Sequence, residues 1–241
     1  MRMIGQGWSS WMLLSAILMA SVSGCSKSTE SAPAAAAPTT PQTAPVGDRY
    51  ARQVDAPTEP ALAHVALPEV KQQPTPFVVI KTTEGSFKLR LDTEHAPRTV
   101  YNFVAYVNSG HYTNTIFHQV ERGYAILGGG FTEDMQEKPS RYAIPNEATN
   151  GLKNRRGTIA MARRIDDPHS ATCQFIINLV DNPSLDHQGP EPEKYGFCVF
   201  GEVVEGFETL DKIAAAEVRD VEGFVKLPVK PIKITGIHTL R

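Results

Sequence analysis

The chain has 241 residues, of which 41% are hydrophobic and 21% charged, and its formal net charge at pH 7 is -2. Such a chain is long enough for one substantial core, and its composition is that of an ordinary soluble globular protein. The near-neutral charge does not supply the basic surface of a nucleic-acid-binding protein, so we expect no nucleic-acid partner.

Residues 1–24 have the three-part layout of a secretory signal peptide. Arg2 precedes an apolar run over residues 11–19, and small residues fill positions 20–24. The apolar run is too short to span a bilayer comfortably. We therefore predict a signal peptide.

Cys25 follows the small residues directly, and residues 22–25 resemble the lipobox of bacterial lipoproteins. The resemblance implies that cleavage before Cys25 leaves it N-terminal and attached to lipid, with several acyl chains for a stable membrane anchor. Ser26 comes next rather than Asp, which in the lipoproteins of enteric-type bacteria implies the outer membrane. We expect a lipid-anchored protein of the bacterial cell envelope that faces the periplasm. The alternative is a plain signal peptide with an incidental cysteine.

Residues 25–76 are rich in Ala, Pro, Thr and Ser. A segment of this composition cannot bury enough apolar surface to offset its ordering entropy. We predict a disordered tether here and a folded domain over residues 77–241.

The folded domain opens with two strand patterns, residues 77–83 and 86–91, joined by Glu84 and Gly85. The second pattern alternates apolar and polar residues. This predicts a β-hairpin with one buried face.

Two segments have helical signals. Pro97 stands at a helix first turn, apolar residues recur with helical spacing after it, and Gly110 supplies the stop. A second apolar stripe follows Gly206. Both predict amphipathic helices that pack on a core.

The remaining patterns are short and strand-like, and no βαβ rhythm is present. Many short strands with few helices favour a closed antiparallel barrel over a parallel sheet. These strand-like segments are residues 116–120, 124–127, 158–162, 175–179, 197–203 and 232–237.

Several blocks are similar to the signatures of the cyclophilin family. The family's Phe-His-Arg and Gly-Phe-Met-x-Gln-Gly-Gly correspond to residues 117–119 and 123–129. Residues 146–163 are similar to the bacterial members. The family's Ser-x-x-Gln-Phe-Phe-Ile segment resembles residues 168–178, and its Val-Phe-Gly-x-Val strand resembles residues 199–203. Together these blocks cover the folded part in the family's order, so the chain is identified as a member of the cyclophilins.

The resemblance implies a mainly β fold, an eight-stranded antiparallel closed barrel capped by two α-helices. It also implies peptidyl-prolyl cis-trans isomerase activity on the X-Pro bonds of proline-containing polypeptide segments. No cofactor and no metal are implied, and we expect a monomer.

Gln119 occupies the position of the family's catalytic Arg. In the family this Arg donates a hydrogen bond to the imide nitrogen in the twisted transition state. A neutral amide is a weaker donor than a charged guanidinium and lacks its fixed fork. The hypothesis is an isomerase of reduced activity.

The resemblance also assigns the substrate contacts. Side chains smaller than the family's at Ala125, Ile176 and Ser184 predict a wider and less aromatic proline pocket, and the loss of the aromatic residue at Ser184 predicts poor cyclosporin binding. The expected contacts are His118, Tyr124, Ala125, Leu127, Gly128, Ala162, Arg163, Gln174, Ile176, Leu185 and Phe197.

Other patterns have ordinary interpretations. The seven histidines are scattered without ligand spacing, so no metal site is predicted. The glycines at 128–130 lack the ending of a phosphate-binding loop and are interpreted as a tight turn beside the pocket.

Cys173 and Cys198 could pair or remain buried thiols, and the sequence leaves this open. Taken alone, the apolar pocket residues would fit any barrel wall.

Three functions are compatible with the sequence. The first is an isomerase that assists the folding of envelope or secreted proteins, because slow X-Pro isomerisation limits folding. The second is a chaperone or scaffold module that binds proline-containing segments with little or no catalysis, favoured by Gln119 and the reduced aromatic wall. The third is a purely structural lipoprotein, which the retention of Gln174 and Gly128 makes less attractive.

Overall fold

This computed structural model describes residues 76–240, which contain ten β-strands, two α-helices and three short 3-10 turns. The strands are β1 (Phe77–Thr82), β2 (Gly85–Leu91), β3 (Thr115–Glu121), β4 (Ala125–Thr132), β5 (Thr158–Met161), β6 (Phe175–Asn178), β7 (Val199–Glu205), β8 (Val218–Val221), β9 (Phe224–Pro228) and β10 (Lys233–Leu240). The helices are α1 (Pro97–Asn108) and α2 (Phe207–Ala214).

Eight of these strands close into an antiparallel barrel in the order β1-β10-β3-β4-β6-β5-β7-β2, while β8 and β9 form a separate hairpin. The period-two pattern of β2 has the predicted effect, since Phe87, Leu89 and Leu91 are buried. The predicted fold class, a mainly β protein with an eight-stranded antiparallel barrel and two helices, is confirmed.

Both helices turn one apolar face towards the barrel, as their sequence periodicity predicts. α1 buries Val100, Phe103 and Val107. α2 buries Leu210 and Ile213.

The barrel interior is filled by large aromatic side chains, and we call its buried apolar residues the interior cluster. The Phe103 ring of α1 lies 5.2 Å from the ring of Tyr112, 5.9 Å from that of Phe175 and 5.2 Å from that of Phe200, between centroids. Edge-to-face and tilted rings at such separations attract each other beyond their shared burial. This aromatic packing joins α1 to the strands.

The tight turn predicted at residues 128–130 is wrong, because these glycines lie inside β4. They are needed for close packing instead. A Cβ atom on Gly128 would lie 2.7 Å from the Phe117 ring, and one on Gly129 would lie 2.8 Å from the Phe175 ring. Gly129 also has a φ of 91°, which L side chains rarely adopt.

The hairpin of β8 and β9 was not predicted. Its strands bury only Leu227 and Pro228, and their register shifts between Arg219 and Val221. A short, mostly exposed hairpin has too little apolar alternation to be recognised from the sequence.

The two cysteines of the described domain, Cys173 and Cys198, are buried free thiols, which answers the question that the sequence left open. Burial raises the pKa of the Cys173 thiol to about 11 and that of Cys198 to about 12. Both are therefore protonated and unreactive at neutral pH.

The signal peptide at residues 1–24, the lipidation site Cys25 and the tether up to residue 75 lie outside the described residues. They stay predictions. Across residues 76–240, no helix has both the length and the apolar character needed to cross a membrane.

Candidate active site

A second apolar cluster lies apart from the barrel interior, and we call it the outer cluster. Every apolar side chain that the sequence predicted for the proline pocket belongs to it. The structure therefore brings these predicted contacts together. The buried members are Ala125, Leu127, Ala160, Ala162, Ile176, Leu185, Phe197 and Val199, and Tyr124, Leu152 and Ile165 pack against them.

One row of the outer cluster crosses four neighbouring strands. Leu127 of β4 pairs with Ile176 of β6, Ile176 pairs with Ala160 of β5, and Ala160 pairs with Val199 of β7. Residues directly opposite each other in antiparallel strands share one face of the sheet. The alternate residues of β4, β5 and β6 belong to the interior cluster: Ile126, Ile159 and Ile177.

Gln119, the predicted hydrogen-bond donor, stands at the end of this row. It pairs with Leu127, and the register of β3 shifts between Phe117 and Gln119. Such a bulge redirects a side chain, so Phe117 joins the interior cluster while Gln119 shares a face with Leu127. The structure thus places a half-buried neutral amide beside an apolar wall.

Several members of the outer cluster lie outside the strands, among them Tyr124, Leu185 and Phe197. Tyr124 precedes β4, Leu185 ends a short 3-10 turn and Phe197 precedes β7. The Phe197 N–H donates to the Leu185 carbonyl over 2.8 Å. Burial raises the pKa of Tyr124, and the nearby Glu121 carboxylate raises it further. A hydrogen bond with Ser184 lowers this pKa in part.

Arg163 was predicted to contact substrate, and the structure places its guanidinium against backbone carbonyls. It donates to the carbonyls of Gly196, Pro192, Arg164 and Ile165 over 2.7 to 3.0 Å. Four of its five N–H donors are engaged in this way. Only 2% of the residue is exposed, and burial lowers its pKa.

The Arg163 guanidinium also lies 4.9 Å from the centroid of the Phe197 ring. A cation over an aromatic face is attracted to it, most strongly where water is excluded. In this position Arg163 holds the segment that carries Phe197.

Gln174 is 2% exposed, and its Oε1 has no hydrogen-bond partner among the described residues. Its side chain lies against Gly130, where an added Cβ would come within 2.5 Å of it. An unpaired buried carbonyl oxygen is costly, so it favours a bound N–H donor. A peptide backbone would supply such a donor.

His118, another predicted contact, is not part of the outer cluster. Its ring packs edge-on against Phe131 at 4.9 Å and Phe224 at 6.3 Å, so the β8-β9 hairpin covers it. Its Nδ1 has no hydrogen-bond partner among the described residues, and burial lowers its pKa to about 4. The ring is therefore neutral at physiological pH.

A set of polar residues beside the outer cluster was missed by the sequence analysis: Asn154, Asn178, Asn182 and Asp186. Their side chains are linked by hydrogen bonds. An asparagine in an apolar strand pattern, such as Asn178, was the available signal. Among residues 76–240, no group of three or more His, Cys, Asp or Glu side chains could hold a metal ion.

Comparison with protein families matches residues 77–239 to the family described as cyclophilin type peptidyl-prolyl cis-trans isomerase/CLD. A peptidyl-prolyl cis-trans isomerase of Streptomyces antibioticus is 48% identical over 163 residues, which are 68% of this chain and 98% of that protein. Peptidyl-prolyl cis-trans isomerase A of Dickeya dadantii is 47% identical over 164 residues, 68% of this chain and 84% of that protein.

Among solved structures, a cyclophilin type peptidyl-prolyl cis-trans isomerase of Cryptosporidium parvum superposes with a TM-score of 0.57 and 27% sequence identity. The match covers 69% of this chain and 98% of that chain. A cyclophilin of Hirschia baltica, 20% identical with a TM-score of 0.55, shares the fold and covers 69% of this chain and 74% of that chain.

Proposed function

The chain belongs to the cyclophilin-type peptidyl-prolyl cis-trans isomerases, and we propose that it is a slow isomerase of X-Pro bonds in envelope or secreted proteins, which it helps to fold. The isomerase activity rests on the family. The reduced rate, the clients and the folding role are our proposal. The observation that carries the reduced rate is Gln119, a neutral donor beside the apolar wall.

Isomerisation needs no nucleophile and no acid/base pair. The amide resonance that keeps the X-Pro bond planar sets a barrier of roughly 18 to 20 kcal/mol. When the bond twists, the nitrogen becomes pyramidal and its lone pair localises. A donor aimed at that nitrogen stabilises the twisted form more than the planar one, which is what lowers the barrier.

The surface around Gln119 has the parts that this chemistry requires. Leu127 and Ile176 supply an apolar wall for a proline ring, and the Gln119 amide stands at the end of the same row. The unpaired Oε1 of Gln174 is a further acceptor for a substrate backbone. Together they support peptide binding with a donor in place.

The strength of the donor decides the rate. If exchanging a charged donor for a neutral amide costs about 1.4 to 3 kcal/mol of transition-state stabilisation, the rate falls roughly tenfold to a hundredfold or somewhat more. The smaller side chains at Ala125, Ile176 and Ser184 further support a wide pocket with fewer contacts to a single proline ring.

The location of the clients is proposed from the N-terminal sequence. A signal peptide and a lipidated Cys25 would hold the domain in the periplasm, where newly exported chains fold and X-Pro isomerisation is slow. The tether at residues 25–76 would give the domain reach from the membrane, which we propose to be the outer membrane.

The test is X-Pro exchange in a short peptide, measured by NMR with residues 77–241. This part corresponds to nearly the whole Streptomyces relative, so it can be studied alone. We expect exchange above the uncatalysed rate, and a rise of roughly tenfold or more in the Gln119→Arg variant. Gln136→Arg adds the same charge on an exposed turn and should leave the rate unchanged.

Wild-type exchange as fast as in an ordinary cyclophilin would contradict the slow isomerase. The second candidate is a peptide-binding chaperone or scaffold module with cyclophilin fold and little catalysis, which the neutral donor also favours. Tight peptide binding without exchange in either the wild type or Gln119→Arg would support that module.

A further inference from the structure

Three asparagines lie beside the outer cluster and are almost completely buried, and one of them, Asn178, pairs directly with Ala125. Asn154 is 2% exposed, Asn178 is 0% exposed and Asn182 is 4% exposed. They come from three separate places: the loop before β5, the end of β6 and the loop after it. Burying a polar amide is costly unless its groups are paired, so their partners matter.

Their side chains form one connected network. The Asn178 Nδ2 donates to Asn154 Oδ1 over 3.1 Å and to Thr158 Oγ1 over 2.9 Å. The Asn178 Oδ1 accepts a hydrogen bond of 2.8 Å from Asn182 Nδ2. The backbone N–H of Asn182 donates to the Asn154 carbonyl over 2.7 Å.

The network ends on backbone carbonyls of the outer cluster. The Asn182 Nδ2 donates to the Tyr124 carbonyl over 3.1 Å. The Asn154 Nδ2 donates to the Leu185 carbonyl over 3.0 Å and contacts the Phe197 carbonyl at 3.4 Å. All three carbonyls belong to predicted pocket residues that lie outside the strands.

Asp186 fixes the other side of Asn154. Its Oδ1 accepts from the Asn154 backbone N–H over 2.7 Å and from Asn154 Nδ2 over 3.1 Å. The network is thus attached both to the loop that follows Leu185 and to the loop before β5.

This arrangement differs from general core packing in what it holds. Leu127 and Ile176 are fixed by the β-ladder between β4 and β6, whereas Tyr124, Leu185 and Phe197 have no ladder of their own. Backbone hydrogen bonds hold them in part, such as the one from the Phe197 N–H to the Leu185 carbonyl. Hydrogen bonds from fixed side chains are the further means of setting their positions to within a fraction of an ångström.

We propose that Asn154, Asn178 and Asn182 are positioning residues that set the geometry of the substrate pocket, so that they determine substrate affinity more than turnover. This inference rests on the proposed function for the identity of the substrate. The pocket wall contacts substrate in the ground state and the transition state alike. Its displacement should therefore raise KM with little effect on kcat.

The test uses Asn154→Ser in residues 77–241. The shorter side chain loses the donor to the Leu185 and Phe197 carbonyls and to Asp186, and the acceptor for Asn178. The backbone bond to Asp186 remains. We expect the KM for an X-Pro peptide, and its Kd from NMR titration, to rise about tenfold, the order expected when a buried donor is lost. We expect kcat to change less than twofold.

The matched control is Thr209→Val. The Thr209 hydroxyl donates to the Ser86 carbonyl over 3.0 Å, and it is 3% exposed. The variant therefore also removes an almost completely buried side-chain donor from a backbone carbonyl, but next to β2, which does not border β4 or β6. It should lose stability in urea without a change in KM or Kd.

Equal stability losses in the two variants with unchanged KM and Kd in Asn154→Ser would overturn the positioning role. If Asn154→Ser does not fold, Asn182→Ser replaces it, because that variant removes only the donors to Tyr124 and Asn178. A wild-type domain that binds peptide without accelerating exchange contradicts the proposed isomerase alone, and the Kd comparison then still decides the positioning role.

Discussion

The interior cluster and the outer cluster are both apolar, but they are held in different ways. In the interior, Phe103, Tyr112 and Phe200 are large rings that fix one another by contact. The outer cluster contains three alanines. Its loop residues depend on hydrogen bonds that the side chains of Asn154 and Asn182 donate to their backbone carbonyls. Packing thus sets the stability of the barrel, whereas a polar framework sets the shape of the surface where we place the substrate.

The largest expected effect comes from replacing one aromatic ring in each cluster. Phe103→Ala should lower the free energy of unfolding by about 3 to 5 kcal/mol, because it leaves a cavity among three rings. The peptide affinity of the folded fraction should not change. Phe197→Ala should cost less stability and weaken peptide binding. Urea denaturation and peptide titration of both variants measure the difference.

The proposed difference between the two clusters is contradicted if Phe103→Ala and Phe197→Ala lower the free energy of unfolding equally and neither changes peptide affinity. In that case the outer cluster would be a second core rather than a binding surface.

The fold was predictable because its signals are local. The alternation in β2 and the helical spacing after Pro97 each lie within a dozen residues, and the many short strands with few helices favoured a closed barrel. The apolar members of the site were found by motif position. They meet because β4, β6 and β5 are neighbours in the barrel.

The parts that were not predicted depend on distant contacts. Gly130 was assigned to a turn because its close approach to Gln174 cannot be seen in the sequence. Asn154, Asn178 and Asn182 acquire their shared role only when two loops and the end of β6 meet. The burial of His118 likewise depends on a hairpin that begins about a hundred residues later.

An intermediate effect is expected from pH, through His118. Its pKa is about 4 in the folded state and about 6.5 when unfolded, so the unfolded state binds more protons between these values. This contribution to stability is fully present above pH 6.5 and is lost as the pH falls towards 4. The free energy of unfolding should decrease by roughly 1.4 kcal/mol per pH unit, about 3 kcal/mol in total.

His118→Phe isolates this effect, since Phe keeps an aromatic ring between Phe131 and Phe224 without a titrating group. Urea denaturation from pH 7 to pH 4 should show a steeper loss in the wild type than in the variant. His95, whose pKa is raised by its hydrogen bond to Asp92, titrates equally in both proteins and cancels in the difference. Parallel curves would show that burial does not lower the pKa of His118. An unchanged peptide affinity would place His118 with the packing residues rather than with the outer cluster.

The smallest expected effect concerns the start of α1, the helix that carries Phe103. Ala96 at its N-cap makes no side-chain cap, and the carboxylate of Glu147 takes that role from a distant loop. It accepts hydrogen bonds from the backbone N–H of Arg98 at 3.2 Å and of Thr99 at 2.9 Å. A carboxylate there pairs free N–H groups and also meets the positive end of the helix dipole.

Glu147→Gln keeps an acceptor but removes the charge, and Glu147→Ala removes both. We expect losses in the free energy of unfolding of about 0.5 kcal/mol for the first and about 1 to 2 kcal/mol for the second. Glu222→Gln, on the exposed turn between β8 and β9, removes a charge of the same kind and should not measurably lower the free energy of unfolding.

Because α1 packs on the interior cluster, neither Glu147 variant should alter peptide affinity. A weakened affinity in Glu147→Gln, at nearly unchanged stability, would mean that the two clusters are coupled through the loop that carries Glu147.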